Sequence, residues 1–182
     1  MSDERDADGD ETREPRSARV VAERCLALVA AISHAHGAPG AKMLSWLVEC
    51  GVESVSVAEK AFLLEARPEN QAVVDFSWKA EGLAALFWAL GGLPSLWPLN
   101  QQVSLEECEV FRLAREEPAT FLARATLRPL AELKAAEEDL FDQHWRVRDA
   151  QLFGKPMPPE LHPGIVYERR YALTWLVGWG ED

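Results

Sequence analysis

Basic residues are in short supply in this chain. Its 182 residues carry 19 Lys and Arg against 30 Asp and Glu, a net charge of −11. Nucleic acids and anionic bilayers are held by clustered cations, so both are excluded as natural partners. A protein with a basic surface is the partner such a charge favours. Cysteine is scarce too. Cys25, Cys50 and Cys108 are odd in number and show no C-x-x-C spacing. They give neither a disulfide framework nor a zinc ribbon, and they fit three separate thiols in a reducing compartment. No apolar run approaches the roughly 20 residues that span a bilayer. No signal-peptide pattern opens the chain, and the expected location is the cytoplasm. The phosphate loop, the dinucleotide G-x-G-x-x-G, the zinc-protease H-E-x-x-H and the hydrolase G-x-S-x-G are all missing. The sequence therefore offers no catalytic residue and no cofactor site. His34 and His36 stand two apart, which on a helix turns their rings about 200° from each other. They cannot share an ion, and no metal site is expected.

What the chain does have is tryptophan, seven residues, and a hydrophobic fraction of 48%. That is enough for one core and too little length for two. Residues 1–16 hold seven acidic and three basic side chains without periodicity; they are expected to form a disordered acidic tail. Residues 17–182 are expected to form one all-α domain of seven or eight helices.

The organising stretch is Asp75 to Gly91. At about 100° per residue, Phe76, Leu83, Leu86, Phe87 and Leu90 share one side, and Trp78, Glu81, Ala85 and Trp88 the other. A helix apolar nearly all round belongs in the interior, with other helices around it. Before it, a helix from Ser17 ends at Gly37-Ala-Pro-Gly40. A short one carries Met43, Leu44, Trp46, Leu47 and Val48. A capping box at Ser56-Val-Ala-Glu59 opens a third. After it, Leu93 to Asn100 reads as an irregular apolar crossing, and Ser104-Leu-Glu-Glu107 as a second capping box, starting a helix with Val110, Phe111 and Leu113 inward. Pro118 opens a short helix. Pro129 opens a long one to about Phe153, with Leu130, Leu133, Leu140, Phe141, His144, Trp145 and Leu152 as its inward stripe. The last helix runs from Pro163 or Ile165 to Gly178. Only Val52 to Val57 alternates like a strand, and it is short.

The informative signal is charge on apolar helical faces. Lys79 and Glu81 lie on the central helix. Arg146, Arg148 and Asp149 lie on or beside the stripe of the long helix, and Glu168, Arg169 and Arg170 interrupt the last. Buried charges need partners. In one reading they neutralise one another, Glu81 with Arg169 or Arg170 and Asp149 with Arg146, and fix helix register. In the other they line a pocket walled by Trp78, Trp88, Trp145, Trp175 and Tyr171, where Arg148, Arg169 or Arg170 takes an anion.

Ser77-Trp-Lys-x-Glu81, Leu86-Phe-Trp-Ala-Leu-Gly91, His144-Trp-Arg-x-Arg-Asp-Ala150 and Glu168-Arg-Arg-x-Ala-Leu-x-Trp-Leu176 together resemble a bacterial family, domain of unknown function family 4272. Ser56-x-x-Glu59-x-x-Phe-Leu63 is similar as well. The chain departs from the family pattern after Trp179, where an Asp-rich tail is replaced by Gly-Glu-Asp. The resemblance implies a bacterial, cytoplasmic, helical domain and brings no activity with it. The function expected is a non-catalytic protein-interaction module, such as an immunity-like inhibitor of a basic partner. The alternative is an enzyme or small-anion binder using the Trp/Arg/Glu interior.

Overall fold

The computed structural model describes residues 14–179, the Glu106 side chain excepted. The described residues form eight α-helices and no strand: α1 (Ala18–Ala35), α2 (Gly40–Glu49), α3 (Val57–Leu64), α4 (Asn70–Ala89), α5 (Glu109–Glu116), α6 (Pro118–Arg124), α7 (Leu130–Leu152) and α8 (Pro163–Leu176). None is long and apolar enough to cross a membrane.

Several expected signals act as written. The Ser17 hydroxyl accepts the Val20 N–H and starts α1. Ser56 and Glu59 exchange both bonds of a capping box at α3. Pro118 and Pro163 occupy first-turn positions. Gly91, at φ +73°, ends α4 in the left-handed conformation that a residue without Cβ adopts cheaply. The Gly92 N–H reaches back to the Phe87 carbonyl at 2.8 Å, and Gly91 N–H to Trp88 at 2.9 Å, the double closure of a Schellman turn.

Helix α4 lies between α1 and α8, and α7 packs on the far side of α8. Helices α2, α3, α5 and α6 close around α1. The core is built mainly from Val21, Leu26 and Val29 of α1, Leu83, Leu86 and Phe87 of α4, and Leu173 and Leu176 of α8. A small second cluster joins Val147, Leu161 and Val166 between α7 and α8.

Four expectations are corrected. The central helix begins at Asn70, five residues early, and only Glu81 to Leu90 is buried; residues 70–80 are partly or fully exposed, because α1 and α8 cover the second half alone. Ser104 caps nothing: it precedes a 3₁₀ turn, Leu105–Glu107, and α5 starts at Glu109. The inward stripe of α7 is Leu133, Leu140 and Val147, while Leu130, Trp145 and Leu152 face solvent. The seven-residue step holds because α7 lies along one neighbour, α8. Residues 1–13 of the expected tail lie outside the described residues. Arg16, assigned to that tail, is packed: its N–H bonds the Leu176 carbonyl at 2.9 Å, and its guanidinium lies 4.4 Å over the Trp175 ring.

Gly40 opens α2 against the end of α3. A Cβ there would stand 2.0 Å from the Leu63 carbonyl oxygen and 2.9 Å from its carbon. That neighbour is backbone, so the helices themselves must separate. We expect Gly40→Ala to cost about 1–3 kcal/mol, with a fall in Tm of roughly 5 °C. An unchanged melting curve would show that the α2–α3 contact yields freely.

Candidate functional site

The charges that the sequence places on apolar faces meet at the α4–α8 crossing. Gly82 permits the approach, since a Cβ there would lie 3.3 Å from the Glu168 carbonyl. Glu81 Oε2 accepts from Arg169 Nε at 2.9 Å and pairs with Nη2 at 2.8 Å. Glu81 Oε1 accepts the Val103 N–H at 2.8 Å. Arg169 also donates from Nη1 to the Trp97 carbonyl and from Nη2 to the Gln101 carbonyl at 3.3 Å. Both side chains are buried, and no buried side-chain polar atom among the described residues lacks a partner. The pair thus holds an irregular crossing, residues 91–104, against two helices by its own backbone groups. Two residues before Glu81, Lys79 Nζ donates to both carboxylate oxygens of Glu168 at 2.9 Å and stands 5.6 Å over the Tyr171 ring.

The remaining expected site residues lie elsewhere. Trp78 stacks on His162, with ring centroids 5.2 Å apart. Trp88 is buried beneath the Arg128 guanidinium, and Trp175 beneath Arg16. Arg170 lies 4.6 Å over the Phe141 ring. Trp145, Arg146 and Arg148 are on the surface. Arg146 bonds Glu160 and Gln143, and Asp149 pairs with Lys155 at 2.7 Å, so the expected Asp149–Arg146 pair is replaced. The reason is reach: Arg146 turns toward residue 160 in the segment after α7.

Several polar partnerships are not legible in the sequence. Glu59 bonds Arg24 of α1 at 2.6 Å while closing its own capping box. Its signal was present, because a buried cap carboxylate needs a cation. Arg128 donates to the Trp88 and Leu93 carbonyls, each at 2.7 Å. The His34 ring nitrogens face the Ala38 and Glu65 carbonyls at 2.7 and 3.1 Å.

No group of three His, Cys, Asp or Glu among the described residues is placed to hold a metal ion. The cysteines are free and apart. Burial pushes all three thiols up from their ordinary range, with Glu49 adding to this at Cys50 and Glu107 at Cys108. They are poor nucleophiles. Burial, and then the charges of Arg170 and Arg148, hold His144 below its usual 6.5.

Three openings adjoin this region, the smallest, of about 50 Å³, beside Lys79, Glu168 and Trp175. A cleft of about 770 Å³ runs between α1, α2, the exposed half of α4, residues 102–105 and α5. A second, of about 870 Å³ and more open to solvent, lies between α4, α7 and the start of α8, with Trp78, His144 and Tyr167 on its walls.

The family described as Domain of unknown function (DUF4272) matches residues 7–182, and the chain belongs to it. No curated protein and no solved structure matches the chain.

Two outcomes test this geometry. Glu81→Gln leaves Arg169 a buried uncompensated cation and is expected to lose about 3–5 kcal/mol in denaturant unfolding. An apolar double replacement of a buried pair is often neutral. Here Glu81→Leu with Arg169→Met is expected to stay destabilised, because Val103 N–H and the Trp97 and Gln101 carbonyls lose partners at about 1–3 kcal/mol each. A double variant as stable as the native chain overturns the assignment. Separately, the depressed His144 is neutral in the fold above 6.5. Its contribution to stability is full above that pH and is lost as pH falls toward the depressed folded value. NMR titration is expected to place its midpoint below 6.5, and Arg148→Gln to raise it.

Proposed function

We propose that this member of the family is a bacterial, cytoplasmic protein-interaction module whose partner is basic and is gripped by the outer face of α7. One observation carries the reading. Trp145 is 51% exposed; one to two turns before it stand Glu138 and Asp142, within about 60° of it round the helix, and Asp139, about 120° round, all exposed. Among the described residues, the ion pairs formed by and beside α7 are Arg128–Glu132, Arg146–Glu160 and Lys155–Asp149. None of them includes those three acids, and Asp139 accepts a bond from Gln143 at 3.2 Å.

The half of the indole left in water gains nothing for the fold. Its edge contact with Phe141, at 6.1 Å between centroids, fixes its direction. Trp is the residue type most enriched among those that dominate binding energy, and a charged rim around it steers and registers the partner. The net charge of −11 supplies the long-range attraction for a cationic surface. Free, well-separated thiols suit a reducing compartment.

Affinity capture with the full chain as bait is the direct test. At about 0.1 M salt a stoichiometric basic protein is expected to be retained, and at about 1 M, where the Debye length falls from about 10 to about 3 Å, to be released. Trp145→Ala is expected to weaken the complex by at least about 2 kcal/mol, roughly 30-fold. Asp142→Lys is expected to slow association. Equal retention by Trp145→Ala, or no stoichiometric partner at low salt, defeats the proposal.

A further inference from the structure

The cleft beside α1, α2 and α5 is built from residues that the α7 face does not use. We propose that it binds a compact organic acid: an apolar, ring-bearing body with one carboxylate. The volume, about 770 Å³, falls in the range of pockets that enclose a single drug-sized ligand, roughly 300–1,000 Å³. Its walls are the apolar side chains of Ile32, Met43, Trp46, Trp78 and Phe111. Trp46, Trp78 and Phe111 are only partly covered by the protein itself, so they have aromatic surface left to give.

The choice of an acid follows from the charges around those walls. Among the described side chains the one carboxylate in the lining is Glu81, and its charge is matched by Arg169 while its other oxygen holds Val103 N–H. A cationic ligand therefore finds no unmatched acid among the described residues of the lining. Arg115 and His36 also line the cleft, and both are exposed. The guanidinium of Arg115 lies 5.9 Å from the Phe111 ring. Its one ion pair among the described residues, with neighbouring Glu116, is long at 3.4 Å. Ser104, which would have been a helix cap, carries no capping bond and turns up in the same lining. Its hydroxyl is a donor for a second carboxylate oxygen. Together these features place an anion-binding rim on an apolar floor. The interior arginine of the ion pair is not involved, because its donors are already committed.

The test uses naphthoate as the probe, with neutral naphthylmethanol and cationic naphthylmethylammonium as matched controls. Binding is read by the fluorescence of Trp46 and Trp78 and by thermal shift on the full chain. Naphthoate is expected to bind saturably, about tenfold more tightly than either control, since one charge-assisted hydrogen bond separates them. Arg115→Gln, at an exposed site that leaves the fold intact, is expected to remove that tenfold preference while retaining weak binding. Ser33→Phe projects a ring into the cleft from α1 and is expected to abolish binding of all three; circular dichroism checks that it folds. If Ser33→Phe does not fold, Phe111→Ala is expected to weaken all three probes equally. Absence of saturable naphthoate binding overturns the proposal. So does equal affinity for the three probes, tighter binding of the ammonium, or binding unchanged by Arg115→Gln. None of these results bears on the Trp145 face.

Discussion

The ion pair of Glu81 and Arg169 is the interaction from which the rest of the structure is hung. Taken alone, a buried pair is weak evidence of stability, because removing two charges from water can cost more than their attraction returns. This pair is different in what it holds. The chain between α4 and α8 crosses the molecule at residues 91–104 without helical bonds of its own. The segment is largely exposed, with Leu93 buried, and peptide groups that it turns inward must be satisfied by the protein. Glu81 accepts Val103 N–H, and Arg169 donates to Trp97 and Gln101. The ions serve as partners for the peptide groups that this loop turns toward the α4–α8 crossing. Lys79 and Glu168, one step along the same seam, fix the sliding register of α8 on α4.

The same device recurs at helix ends. Trp88-Ala-Leu-Gly91 closes α4, and Trp175-Leu-Val-Gly178 closes α8, each ending on a glycine of positive φ. Over each indole lies an arginine from another part of the chain, Arg128 at 4.9 Å and Arg16 at 4.4 Å. Each arginine also donates to the carbonyl of the tryptophan it covers. A helix C-terminus presents unpaired carbonyls and the negative end of its dipole. A guanidinium answers both and stacks on the ring with its flat face. Glu59 is the counterpart at a helix start, joining its capping box to Arg24.

These arrangements explain what the sequence disclosed and what it hid. The helices were legible because apolar periodicity and the end signals at Ser17, Ser56, Gly91 and Pro163 are local. Glu81 with Arg169 was legible as one of two pairings, because few cations sat on apolar faces. The start of α4 was hidden: Asn70 to Val74 has no apolar stripe, and its helicity is carried by the buried half that follows. Ser104 misled because a capping box needs a full helix turn after it, and the chain there is held by Glu81 instead. Trp145 misled because a stripe on a long helix says which residues share a side, and not how far around its neighbour covers it. The Trp–Arg covers over Trp88 and Trp175 join residues 40 and 159 apart, a distance that no window reads.

One consequence concerns charge. The interior ions are matched: Glu81 with Arg169, Lys79 with Glu168, Glu59 with Arg24. The excess of acid over base is therefore carried outside the core, where water and salt let it act over about 8 Å at physiological ionic strength. A field of that range selects partners by sign before contact, which suits a broad protein surface meeting α7. It works against a small anion approaching the cleft. Recognition there must come from short-range contact, from one guanidinium and one hydroxyl set at the edge of an aromatic wall. The two surfaces thus call on different parts of the same electrostatics, and the matched interior is what keeps them apart.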